Sequence, residues 1–138
     1  MNALRRSWQS FRSLPVWVQI WVGLILVPVN IAPFFLLDTW SGQWAALAAL
    51  FVLVTNGPIM LWYAGMNRAL SLPHLVAWVP LEVALVLRVA GHAGPATLAT
   101  PELVLAWVLL IVNGISIVFD VLDSWRWLKG ERETPRPG

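Results

Sequence analysis

Four apolar runs constrain this chain more than any other feature: residues 16–37, 44–63, 72–90 and 101–122. Each has about the twenty residues that a helix needs to cross a ~30 Å hydrocarbon core. Water is missing from that core, so every backbone N–H and C=O needs a partner within the structure, and a helix supplies one. The first two runs hold no Asp, Glu, His, Lys or Arg. The third holds His74, Glu82 and Arg88, and the fourth holds Glu102 and Asp120. The expectation is an all-α, polytopic membrane protein, a four-transmembrane-helix bundle. Only 12% of the 138 residues are charged, about half the share usual in a soluble domain, roughly a quarter.

Lys and Arg orient the spans. The N-terminal segment has Arg5, Arg6 and Arg12, the second loop has Arg68, and the C-terminal segment has four basic residues; the first and third loops have none. Positive residues collect on the cytoplasmic side, so both termini are expected to be cytoplasmic and the protein to sit in the cell inner (plasma) membrane. Arg88, near the outer end of the third run, is the one exception. Trp17, Trp62, Tyr63, Trp125 and Trp127 fall at the inner interface and Trp40 and Trp44 at the outer one, as an interfacial belt.

Three regions follow. Residues 1–15 form a basic amphipathic segment: Leu4, Trp8 and Phe11 make one helical stripe and the arginines lie off it, which suits the headgroup layer. Residues 16–122 are a single membrane domain. Residues 123–138 continue the fourth helix as an amphipathic end, capped near Gly130, and finish in a charged, proline-rich tail expected to be disordered. The first run is read as retained rather than as a cleaved leader, because Gln19 and Asn30 interrupt it and no small-residue cleavage site follows. Pro28 and Pro33 are expected to bend its outer half, and Asn56-Gly57-Pro58 to kink the second span. Ser13-Leu14-Pro15 recurs as Ser71-Leu72-Pro73, and Leu53-Val54-Thr55-Asn56-Gly57 resembles Leu110-Ile111-Val112-Asn113-Gly114; together they suggest two related hairpins.

The polar residues inside the spans carry the functional question. Glu82 lies near the centre of the third span, and an ionisable group at that depth costs at least a few kcal/mol unless it has a partner or a task. Glu102, Asn113, Ser116, Asp120 and Asp123 share one stripe of the fourth helix at 100° per residue. With this stripe and the face of span one that carries Gln19 and Asn30 both turned inward, Glu82, Asn30, Asn56 and Asn113 are expected to meet. That cluster is either interhelical glue or a proton or cation site centred on Glu82. Arg68 and Arg126 are the expected partners of Asp120 and Asp123 at the cytoplasmic interface, with Arg68–Asp120 as the pair that ties the second loop to span four. At the outer end, Arg88 is separated from Glu82 by about 120° and is expected to snorkel or to reach Asp38 or Glu102.

Other chemistries are set aside. The chain has no cysteine, which removes disulfides and thiolate metal sites. A retinal Schiff base needs a lysine within a span, and Lys129 lies past the fourth. His74 and His92 are at opposite ends of span three, roughly 27 Å apart along its axis, too far to hold one haem between them. No metal-ligand cluster, nucleotide loop or nucleophile motif is present, so no cofactor or metal and no catalytic residue is assigned, and no basic surface suits nucleic acid. Size and span number resemble those of the small multidrug-resistance transporters. That family carries its membrane glutamate in the first helix, where this chain has Gln19 and Asn30, and no family is assigned. The expected function is non-enzymatic: an accessory or assembly subunit whose partners are the bilayer and either other membrane subunits or copies of itself as a homo-oligomer. The alternative is an oligomeric proton- or cation-coupled transporter or channel component using Glu82.

Overall fold

A computed structural model describes residues 1–138 as helices and connecting turns, with no strand. An N-terminal helix, Ala3–Arg12, precedes four helices long and apolar enough to cross a membrane: Val16–Phe35, Trp40–Tyr63, Arg68–Val89 and Thr100–Leu128. Short connections make successive spans antiparallel, so the N-terminal helix, the second loop and the C-terminal segment share one end of the bundle.

The first span is irregular for a reason visible in its sequence. A proline has no N–H, and its ring collides with the carbonyl four residues back. Just before Pro28 the helix widens into a π turn over Trp21–Leu26, in which the Val27 N–H reaches Val22 O. Pro33 sits in a closing 3-10 turn, Ala32–Phe35. The expected disturbance at the prolines is therefore a change of helix type. Asn56-Gly57-Pro58, by contrast, stays inside one continuous helix.

Span two begins four residues earlier than the sequence indicates, because Thr39 caps it: its Oγ1 accepts from Gly42 N–H at 3.0 Å. Gly42 has no alternative at this position, since a Cβ would run into the Leu36 carbonyl oxygen. The helix ends in a double reverse bond, Ala64 N–H to Leu61 O and Gly65 N–H to Met60 O, with Ala64 in the left-handed region at φ 48°. Glycine is the usual occupant of that conformation. Here it stands one residue later, where a Cβ on Gly65 would crowd Ser10 and Thr134. Close packing takes the glycine, and the alanine carries the strain.

The core lies between the spans, built from Leu26, Ala45, Trp78, Leu81, Leu85, Leu105, Ala106 and Leu109. Span four buries Glu102, Leu105, Ala106, Leu109, Asn113, Ser116, Asp120 and Ser124, a single stripe at three- and four-residue spacing. Its polar members thus face inward. The outward faces stay apolar and open, including Leu24, Leu53, Val54 and Val118, as a surface solvated by acyl chains should be. Span four runs 29 residues without a break, about 42 Å at 1.5 Å per residue, which exceeds the ~30 Å hydrocarbon thickness.

Both terminal segments contact the bundle, and for the C-terminal one this replaces the expected disorder. The N-terminal helix docks on the bundle through its small polar side: Ser7 and Ser10 are buried, and Ser10 Oγ accepts from Met66 N–H at 3.0 Å. Leu4 and Trp8 of its apolar stripe point away, each about 60% exposed, while Phe11 is partly buried beside Gly23. Residues 131–138 are not free. Asn67 Nδ2 donates to Arg132 O at 2.7 Å and to Thr134 Oγ1 at 3.1 Å. Arg136 donates to the Ala64 and Tyr63 carbonyls, and Arg132 lies over the Trp127 ring at 4.1 Å. The charged composition that argues for disorder also supplies these donors, and the second loop presents matching groups.

Candidate functional site

The polar residues inside the spans form separate assemblies at different depths. At the end of the bundle opposite the termini, one assembly joins Arg88 and Glu102. Arg88 Nε donates to Glu102 Oε1 and Nη2 to Oε2, both at 3.0 Å. Its remaining N–H groups go to carbonyls of the third loop: Ala93 at 3.2 Å, Thr97 at 2.9 Å, and Pro95. All five guanidinium donors are therefore used. Glu102 Oε1 also accepts from the N–H and the hydroxyl of Ser41, at 2.9 and 2.8 Å. Both side chains are almost fully buried. Gly94, at φ +75°, lies against Arg88 and Trp40, where an added Cβ would come within about 3.1 Å of both side chains. This knot ties the start of span two, the end of span three, the third loop and the start of span four. Asp38 takes no part and is exposed. Sequence reasoning placed Glu102 among the possible partners of Arg88; it missed Ser41 and the loop carbonyls, which no spacing rule identifies.

One assembly deeper, Asn30 and Asn113 exchange two amide hydrogen bonds, at 2.8 and 3.0 Å, and join spans one and four. Asn113 is fully buried. One turn further, Trp21 Nε1 donates to Ser116 Oγ at 3.2 Å. The π turn that starts at Trp21 sets the rotation of this half of span one.

Toward the terminal end, His74 gathers three spans. Asn56 Nδ2 lies 2.8 Å from His74 Nε2 and also donates to Leu70 O at 3.1 Å. With the amide donating, Nε2 is the acceptor and Nδ1 carries the proton. That N–H faces Asp120 Oδ1 at 3.4 Å. The imidazole stacks on Trp78, centroids 4.4 Å apart and planes 15° apart. Arg68 lies 3.3 Å from Asp123, and Arg126 lies 3.8 Å from Glu131 across an exposed surface. The pairing expected between Arg68 and Asp120 is thus replaced: Asp120 turns inward to His74, and Asp123, three residues on, takes the arginine.

Glu82 joins none of these groups. The expected meeting of Glu82 with Asn30, Asn56 and Asn113 does not occur, because the inward row of span three runs through Ser71, Trp78, Leu81, Leu85 and Arg88. Glu82 is one 100° step from Leu81 and so lies on the flank facing span four. Its Oε2 is 3.6 Å from the place a Cβ on Gly114 would take, and its Oε1 is buried with no hydrogen-bond partner. Asn56 and Asn113, which sit at matching sequence positions in the two hairpins, have unrelated surroundings: a histidine and a loop carbonyl for one, a second asparagine for the other. No protein family, curated protein or solved structure matches this chain.

Proposed function

We propose that this chain is a small non-enzymatic subunit of the inner membrane, with both termini cytoplasmic, that acts by packing against other membrane subunits or copies of itself. The observation that carries this reading is where the polar side chains go. Arg88, Glu102 and Ser41 bond one another, as do Asn30 and Asn113, and His74 draws Asn56 and Asp120 together, with only Asn56 Oδ1 and Asp120 Oδ2 left over in these groups. That use fixes the four spans as a rigid frame. The frame presents long apolar faces to its surroundings. The distribution of Lys and Arg, with Arg88 removed from the count by its burial, supports the orientation.

Native mass spectrometry from mild detergent tests it. Reproducible higher masses, from copies or from companion subunits, are expected; a chain that leaves the membrane only as a lipid-bound monomer, from cells and after crosslinking alike, counts against it. The unpartnered Glu82 oxygen favours a second reading, a proton- or cation-coupled transporter or channel component in which Glu82 is the exchanging group. There, Glu82→Gln abolishes a pH-dependent flux in proteoliposomes while assembly survives. Loss of stability or of partner retention alone marks Glu82 as glue.

A further inference from the structure

At the end of the bundle that carries the termini, a groove opens between spans two and three. Phe51, Thr55, Ile59 and Tyr63 line one side, and Leu72 and Val76 the other. Its lining is mostly apolar, and the Thr55 hydroxyl is returned to Phe51 O at 2.7 Å. From Phe51, halfway along span two, to Tyr63 at the end of that helix, the groove runs ~18 Å along the axis. That is about one leaflet of a ~30 Å hydrocarbon core. Its volume of about 430 Å³ gives, over that length, a mean cross-section of ~24 Å², several times less than a helix ~10–12 Å across presents. One hydrocarbon chain fits it lengthwise; a partner helix does not.

Two arginines of the C-terminal segment stand on residues that line this groove. Trp127 is one of them: Arg132 lies over its ring at 4.1 Å, and Arg132 Nε donates to its carbonyl at 3.1 Å. Tyr63 is the other, its carbonyl accepting from Arg136 Nη2 at 3.0 Å. Both arginines are exposed. Neither is paired with a carboxylate, since Asp123 is taken by Arg68 and Glu131 faces Arg126, and Glu133 is within ion-pair distance of neither. The two Nη groups of Arg132 make no hydrogen bond within the chain. The Asn67 amide, bonded to Arg132 O and Thr134 Oγ1, holds the segment in this place.

We propose that the groove holds one acyl chain of an anionic diacyl phospholipid, whose phosphate accepts from Arg132 Nη1 and Nη2 while Arg136 adds a second positive charge. The polarity of the site selects this occupant. A slot one hydrocarbon chain wide runs toward mid-bilayer, and two uncancelled cations stand where the headgroups lie. A planar guanidinium with two free Nη groups matches a phosphate bidentately. A zwitterionic headgroup brings its own ammonium and gains less from the pair of cations. The site lies at the terminal end of the bundle whichever leaflet that end faces.

The full chain in dodecyl maltoside is titrated with phosphatidylglycerol or with phosphatidylcholine of the same acyl chains, and native mass spectrometry follows the first bound lipid. Phosphatidylglycerol should fill that site at least several-fold more tightly. Arg132→Gln with Arg136→Gln should weaken its binding about 10- to 30-fold, each arginine being worth roughly fivefold against an anionic headgroup. Phosphatidylcholine binding should stay within twofold. Arg5→Gln with Arg6→Gln removes the same charge from the same end of the bundle and should change phosphatidylglycerol binding less than twofold. Val76→Trp, at a position 63% exposed, fills the inner part of the groove without touching a charge and should weaken phosphatidylglycerol several-fold. Equal affinity for the two lipids overturns the proposal. So does a loss no greater for the Arg132 and Arg136 pair than for the Arg5 and Arg6 pair, which marks diffuse charge, and so does unchanged binding in Val76→Trp. Displacement of the lipid by inorganic phosphate assigns a free-anion site and overturns it. A dimer that Val76→Trp breaks, with no lipid bound, assigns the groove to a second copy and does the same.

Discussion

The Arg88–Glu102 knot offers the sharpest test of how this bundle is held. Consider Arg88→Met, which keeps the length and apolar stem and removes the guanidinium. Glu102 then remains buried with only the Ser41 N–H and hydroxyl as donors. Breaking a buried ion pair from one side costs about 3–5 kcal/mol, because the abandoned charge has lost its solvation and gained nothing. The three loop carbonyls add little, since Pro95 and Thr97 are exposed and water replaces the lost donor. Removing both charges, as Arg88→Met with Glu102→Leu, takes away the desolvation cost of both ions. The double variant should therefore lie well above the sum of the single losses. What remains is an unpaired Ser41 N–H and hydroxyl, at about 1–3 kcal/mol for each group left unsatisfied. The expected coupling energy is thus at least ~2 kcal/mol. Reversible unfolding of the four members of the cycle in mixed micelles measures it. A loss below ~1 kcal/mol for Arg88→Met alone, or additive losses across the cycle, refutes the closed knot.

Further outcomes follow from the other contacts. Asn30→Leu and Asn113→Leu should each destabilise by about 0.6–2 kcal/mol, and the double substitution should recover part of the loss, since replacing both partners leaves no orphaned amide; the same unfolding assay reads it. Gly42→Ala places a methyl against the Leu36 carbonyl oxygen and should cost at least ~1–3 kcal/mol as an overpacked site, seen as a lowered thermal midpoint. Asn67→Ala should release residues 131–138, raising their amide hydrogen exchange while spans two to four keep their protection. Charge reversal at Asp123 should be partly rescued by reversal at Arg68, whereas reversal at Asp120 should not; the pair is a third or more exposed on each side, so the effect is within ~1 kcal/mol.

Hydropathy alone determines that this chain is a four-span, all-helical membrane protein, because lipid admits so few ways of satisfying a backbone. Helical periodicity goes further and shows that Glu102, Asn113, Ser116 and Asp120 share one face. It does not say which residue each one meets. That depends on the rotation of every span about its axis, and two features of the folded chain set it. The π turn ahead of Pro28 rotates span one so that Trp21 and Asn30 both reach span four. The Thr39 cap starts span two early enough for Ser41 to meet Glu102. Asp120 and Asp123 are equivalent neighbours in sequence, yet a rotation of 300° between them sends one to His74 and the other to Arg68. The C-terminal tail shows the same limit from the other side: its composition predicts disorder, and only the Asn67 amide and the carbonyls left at the end of span two give it a place to bind. Depth in the membrane follows from counting residues along one helix. Partnership needs two helices in register, and for Glu82 the tertiary structure leaves that place unfilled.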